Sequence, residues 1–226
     1  MLKYTFYTEK KMTDTKLNKT LPKATAKRLP QYYRLFKNLV EENITRTNSQ
    51  LISEKIGVDA ATIRRDFSLF GELGRRGYGY ETQALRDFFG ELLGQDQETH
   101  LALIGVGNLG RALLHYHFQE RNKMRITQAY DISGNPLVGT QTDDGIPIFN
   151  ISDLEKNVKK SDIKTAILSV RKEDAQEVVD ILIKAGIKGI LNFAPIRLRV
   201  PSDVVVQSID LTKELQTLLF FMNDNK

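Results

Sequence analysis

Three glycines carry the strongest chemical signal in this sequence. Gly105, Gly107 and Gly110 follow the apolar run LALI and lead into RALLHYHF, giving GxGxxG where a strand-like segment turns into a helical one. Each glycine has a distinct role. Gly105 permits the tight turn, Gly107 lets the backbone approach a pyrophosphate, and Gly110 allows the helix to pack closely on the strand. The helix start then offers amide hydrogens and a positive dipole end to an anion. A second strand-like run, RITQAYD, ends 21 residues after Gly110 at Asp131, whose carboxylate is placed to accept hydrogen bonds from an adenosine ribose. Ile132 and Ser133 follow it in place of an arginine, which favours NAD over NADP. The expected cofactor-binding residues are therefore Gly105, Val106, Gly107, Asn108, Leu109, Gly110 and Asp131. Val170 and Asn192, at the ends of later strands, should face the nicotinamide half.

A second constellation lies nearer the N-terminus. Ser49 is a plausible cap for the short helix QLISEKI, which Gly57 ends; Asp59 then caps AATIRRDFSLF. Two short helices joined by a glycine-containing turn make a helix-turn-helix unit. On the second, Ile63, Phe67 and Phe70 share one face at i, i+4 and i+7. Ala61, Arg64, Arg65 and Ser68 point away from it, and Thr62 sits near the helix start. Small residues allow close approach to a major groove, and arginines reach guanine edges or phosphates. Behind this helix, Arg75 and Arg76 precede alternating Gly77, Tyr78, Gly79 and Tyr80, which reads as a β-hairpin wing with two more phosphate-binding charges.

These residues need elements to hold them. Helical spacing of Leu29, Tyr32, Tyr33, Leu35, Phe36, Leu39 and Val40 predicts a first amphipathic helix from Ala24 to Glu42. Thr82 to Leu93 should be a linking helix, with GQDQETH as the domain boundary. Beyond it GIPIF, TAILSV, GILNF and VVVQSID read as strands alternating with the helices SDLEKNVKK and EDAQEVVDILIKAG, which implies a parallel sheet with its ligand at the carboxyl edge. Leu211, Leu215, Leu218, Leu219 and Met222 form an apolar stripe on a terminal helix that suits either its own domain or a partner subunit. The fold class is thus α/β: a winged helix-turn-helix domain (23–85), a linker (86–99), a Rossmann-like parallel-sheet domain (100–208) and a terminal helix (209–226). Residues 1–22, lysine-rich and aperiodic, should be a disordered arm, and Met12 is an alternative start.

Composition narrows the class. Of 226 residues, 41% are hydrophobic, enough to build real cores. No apolar run reaches the roughly 18 residues of a membrane span, and the N-terminus lacks a signal-peptide apolar core, so a cytoplasmic protein is expected. The absence of cysteine excludes disulfides, thiol catalysis and thiolate metal sites. The charge is unevenly divided: residues 1–86 carry 17 Lys and Arg against 9 Asp and Glu, whereas residues 87–226 carry 16 against 19. A basic front half fits an anionic polymer meeting one domain only, or a basic solvated surface.

In order, ATAKRLPQYYR, ATIRRDFSLFGELGRRGYGY, IGVGNLG, HYHF, NFAPIRLRVP and IDLTKELQ make the chain resemble the Rex family of redox-sensing transcriptional repressors, from Leu21 to about Met222. That resemblance implies a homodimer on palindromic double-stranded operator DNA, released when NADH binds, with the terminal helix exchanged between subunits. It also implies that Arg34 in YYR, Tyr116 in HYHF and Asp210 in SIDL serve interdomain sensing, with Arg28 matching another basic residue of the first helix.

A rival reading is an NAD-dependent oxidoreductase with an appended helix-turn-helix domain. The chain leaves it little room for a substrate domain and no evident acid–base constellation: His115 and His117, two apart on a helix, cannot share a face as catalytic or metal partners. A third reading is a DNA-binding protein with a cofactor-free α/β dimerisation module. No catalytic or metal-ligating residues are assigned.

Overall fold

The computed structural model describes residues 21–74, 77–95, 97–116, 118 and 123–224. The chain divides into two units, Met1–Asp96 and Gln97–Lys226, and the division falls inside GQDQETH. Residues 1–20 of the expected arm, Arg75, Arg76 and His117 lie outside the described residues.

The first unit is built from α1 (Lys23–Glu41), β1 (Arg46–Thr47), α2 (Ser49–Ile56), α3 (Ala60–Ser68), β2 (Tyr80–Glu81) and α4 (Thr82–Leu92). The apolar stripe of α1 puts Leu29, Tyr32, Leu35, Phe36 and Leu39 into a core with Ile52, Ile63, Phe67, Phe70, Leu85 and Phe89. Aromatic rings dominate it. Phe36 stacks on Phe89 with centroids 5.8 Å apart, and Tyr32 meets Phe67 edge-on at 5.1 Å. Burying such side chains contributes about 1.5–3 kcal/mol each before entropy is charged against it.

Three local expectations change. Asn48, not Ser49, caps α2: its backbone is extended and its Oδ1 accepts from the amides of Gln50 and Leu51 at 2.9 and 3.0 Å, with Ser49 already the first helical residue. The wing is not a local hairpin, because Tyr80–Glu81 pairs antiparallel with Arg46–Thr47 and the described residues between Gly71 and Tyr78 form a loop. The segment 82–92 is a core helix of the first unit rather than part of a linker beginning at residue 86, since Leu85 and Phe89 are buried against α1. Asp59 does cap α3, its Oδ2 accepting from Ala61 and Thr62.

The second unit is a six-stranded, wholly parallel sheet of β3 (Thr99–Ile104), β4 (Met124–Asp131), β5 (Ile148–Asn150), β6 (Thr165–Leu168), β7 (Gly189–Asn192) and β8 (Val205–Ser208). The strands lie in the order β5-β4-β3-β6-β7-β8. This doubly wound arrangement places the reversal of strand order between β3 and β6, where open α/β sheets form a ligand crevice outside their carboxyl ends. Helices α5 (Asn108–Leu114), α6 (Leu154–Ser161) and α7 (Ala175–Lys184) connect the strands, and α8 (Leu211–Asp224) ends the chain. Side chains alternate across β3, so Ala102 and Ile104 enter one apolar layer and Leu101 and Leu103 the other. Both faces of the strand that carries the glycine turn are therefore locked by packing. Helix α5 stops at Leu114, so Tyr116 lies just past the helix on which HYHF was expected.

Candidate functional site

The glycine-rich turn is shaped by close contacts at two of its three glycines. Gly105 has φ +94°, and a Cβ there would lie 2.6 Å from the Ser169 carbonyl oxygen; a Cβ on Gly110 would collide with the Gly105 carbonyl oxygen. The turn is tied to its neighbours by Gly105 N donating to Tyr130 O at 2.8 Å and by Ser169 Oγ donating to Gly105 O at 2.8 Å. A Cβ on Gly107 would meet nothing within 4 Å, so that glycine presents open backbone. Gly107 supplies no side-chain cap to α5, which leaves the first-turn amides of Asn108, Leu109 and Gly110 free to meet an anion.

Asp131 closes the turn from the adjacent strand. Its Oδ2 accepts the Val106 amide at 2.7 Å and the Asn135 side-chain amide at 2.7 Å, while Oδ1 accepts the Ile132 amide at 2.7 Å. A carboxylate has about four acceptor positions, so one on Oδ1 remains for a ribose hydroxyl. Beside it opens a cleft of about 500 Å³ whose lining includes Val106, Arg111, Asp131, Ile132, Asn135 and Leu137. That volume falls within the range of small-molecule sites. Ile132 and Leu137 supply apolar surface for a planar base, and Arg111, bonded to Asn108 Oδ1 at 2.8 Å, supplies a cation. A dinucleotide fits these residues.

Val170 borders the turn, its Cγ1 lying 3.0 Å from where a Gly105 Cβ would stand. Asn192 closes the later strand β7. It is fully buried, donating to Ala194 O, Ile196 O and Ser208 Oγ and accepting from Ala194 N. Its side chain shapes the turn after β7, its amide hydrogens committed there. Arg111, Asn135 and Leu137 were missed by sequence reasoning; DISGNP, a turn-rich stretch that begins at Asp131, was the available signal for Asn135.

In the first unit the faces of α3 divide as the sequence indicated. Ile63 and Phe67 are buried, Ala61, Arg64, Arg65 and Ser68 are exposed, and Thr62 is half-buried. Arg64 Nη1 donates to Ser49 Oγ at 2.8 Å, linking the two helices of the unit. Tyr78 is exposed, and the Arg46 guanidinium lies 5.9 Å from its ring centroid, adding a cation beside it.

Arg28, which the resemblance sets beside the sensing residues, is bonded within its own unit. Its Nε and Nη2 form a two-pronged pair with Asp66 at 2.6 and 2.7 Å, and Tyr32 Oη and Thr25 Oγ1 donate to the same carboxylate at 2.6 and 2.8 Å. The Asp66 side chain is only 3% exposed. Burial alone would raise its pKa, but the hydrogen bonds from Arg28, Tyr32 and Thr25 outweigh burial and hold it below the usual carboxylate range. Asp66 was missed, although a carboxylate flanked by Ile63, Phe67 and Phe70 on one helix face was a visible anomaly.

The remaining sensing candidates are accessible within their respective units. Arg34 is exposed on α1. Tyr116 is 52% exposed, with its ring 4.6 Å from that of Phe118. Asp210 Oδ1 accepts the Lys213 amide at 3.1 Å and so caps the terminal helix. Every described residue of that helix is exposed, including seven large apolar side chains at 54–62%. Among the described residues no group of His, Asp or Glu could hold a metal ion, and no helix is long and apolar enough to cross a membrane.

Two family models match the chain: "CoA binding domain" over residues 96–196 and "Putative DNA-binding protein N-terminus" over residues 20–68. A redox-sensing transcriptional repressor Rex of Lactococcus lactis subsp. cremoris (strain SK11) is 92% identical over 215 residues, covering 95% of this chain and 100% of that one. The protein of the same name from Streptococcus agalactiae serotype III (strain NEM316) is 54% identical, covering 93% and 99%. Among solved structures, RSP in complex with beta-NAD+ and operator DNA superposes with a TM-score of 0.85 at 33% identity, covering 92% of this chain and 94% of that one. RSP in complex with beta-NADH gives 0.80 at 33% identity, covering 92% and 96%.

Proposed function

Because this chain belongs to the Rex family of redox-sensing transcriptional repressors, we infer that it represses transcription by holding operator DNA and that NADH binding to the Rossmann unit makes it let go. The observation that carries this reading is the pairing, in one chain, of an outward arginine face on α3 with a glycine turn closed by Asp131. RSP, a relative with the same fold, has been solved with beta-NAD+ and operator DNA and separately with beta-NADH.

On this reading Ala61, Thr62, Arg64, Arg65 and Ser68 face the major groove, with Arg75, Arg76 and Tyr78 on the phosphates beside it. Gly105 to Gly110 cradle the pyrophosphate, Asp131 takes the ribose, and Val170 borders the ring. When bound, the cofactor supplies a ring that is cationic when oxidised and neutral when reduced. An apolar lining disfavours the cation through desolvation, so the residues beyond the turn discriminate redox state by charge. Ligand binding shifts the protein only through differential affinity for its two arrangements, and a swing from 1:99 to 99:1 takes about 5.5 kcal/mol. Tyr116 is the proposed relay, exchanging Arg34 for Asp210 as the site fills.

The exposed terminal helix supports a homodimer in which that helix packs on a second copy, and a two-fold protein suits a palindromic operator. Such a regulator works in the cytoplasm and turns nothing over. Operator binding titrated with NADH at several fixed NAD concentrations and stated salt tests the reading. Release that rises with the NADH fraction supports it; DNA affinity indifferent to NADH overturns it. Consumption of NADH by the purified protein would instead favour an oxidoreductase.

A further inference from the structure

The buried carboxylate of Asp66 lies on the DNA-reading helix, yet all its partners come from α1. Thr25, Arg28 and Tyr32 stand at i, i+3 and i+7, one face of that helix, and deliver four hydrogen bonds of 2.6–2.8 Å. Resting on the repressor reading above, we propose that Asp66 is a positioning residue for operator recognition: clamped by Arg28, Tyr32 and Thr25, it fixes the rotation of α3 about its own axis and so aims Arg64 and Arg65.

The apolar contacts of α3 cannot do this alone. Ile63, Phe67 and Phe70 hold the helix against the core, but apolar burial has no preferred direction, and a helix can roll on such a surface. The guanidinium fork is directional, with two parallel N–H donors on two oxygens. Asp66 immediately follows Arg64 and Arg65, so its rotation is theirs. A roll of about 20° carries a side-chain tip some 5–6 Å from the helix axis through about 2 Å. That displacement breaks a two-pronged contact with a base edge while leaving general attraction to phosphates intact. A buried ion pair also adds little net stability compared with apolar residues of similar volume, so fold stability alone does not account for one here.

The test replaces the clamp without opening a hole. The triple variant Arg28→Met, Tyr32→Phe and Asp66→Leu removes one cation and one anion and leaves net charge unchanged. We expect it to fold, losing only what the orphaned Thr25 hydroxyl costs, and to bind non-operator DNA with the same affinity and salt dependence. Its preference for operator over non-operator DNA should fall at least tenfold. A folded triple variant with undiminished preference overturns the proposal. Should that variant fail to fold, Asp66→Asn, measured well below its melting temperature, decides by the same criterion. A wild-type protein with no operator preference would overturn the repressor reading itself, which keeps the two failures apart.

Discussion

The Asp131 carboxylate accepts the amide hydrogen of Val106 at 2.7 Å. The end of β4 and the glycine turn at the end of β3 are therefore one piece, held together by the protein's own hydrogen bonds. Asn135 donates to the same oxygen at 2.7 Å and steadies the carboxylate.

From that geometry, Asp131→Ala should weaken NADH binding by about 10- to 100-fold, since a hydrogen bond to a charged group contributes about 1.5–3 kcal/mol. Calorimetric titration reads this directly. DNA binding without nucleotide should stay near the wild-type value, because the exposed arginine face of α3 belongs to the other unit.

Gly110→Ala forces a methyl group onto the Gly105 carbonyl. Overpacking of this kind costs about 1–3 kcal/mol, so the thermal midpoint should drop and NADH affinity with it. Gly107→Ala, whose Cβ meets only open space in the protein, should leave the midpoint almost unmoved and lower NADH affinity alone. Equal effects at the two positions would contradict the roles assigned to them.

Arg65→Ala should weaken operator binding and reduce the slope of log affinity against log salt by about 1 if its partner is a phosphate. NADH titration of the same variant should match the wild type. An unchanged salt slope would remove Arg65 from the phosphate contacts.

Asp66 gives the first unit a definite acid response. Its carboxyl is held low in the folded state, so the stability it contributes is complete above the ordinary carboxylate pKa of about 4 and is lost as pH falls through the lowered folded value. The gap in melting temperature between wild type and Asp66→Asn should be constant from about pH 5 to 8 and narrow below about pH 4. A gap that persists unchanged into stronger acid would show that the carboxylate's charge is not what matters.

Leu218→Asp places a charge in the exposed apolar face of α8. If that face meets a second copy, sedimentation should show the variant shifted to monomer at concentrations where the wild type is dimeric.

What could be read from the chain was what lies close together along it. GVGNLG and its following acid are a local pattern whose spacing reflects one βαβ unit, and Asp59 caps a helix two residues away. Interactions across long separations were not readable. Arg28 and Asp66 stand 38 residues apart, so nothing local pairs them, and β2 finds its partner in Arg46–Thr47 rather than in its own neighbourhood. The orientation of Asn192 needed more than its position: the end of a strand marks the ligand edge, but the side chain there points into the protein or out of it by strand alternation. Ile190 and Asn192 share the buried side.

The two units have separate interiors: aromatic rings around Phe89 in one, and aliphatic layers on either side of β3 in the other. Scanning calorimetry should then resolve two heat-absorption events, the midpoint followed in the Gly110 and Gly107 variants belonging to the sheet and that followed in Asp66→Asn to the aromatic core. Nucleotide should move only the event belonging to the sheet, which makes the thermogram a direct assignment of which half has taken up its ligand.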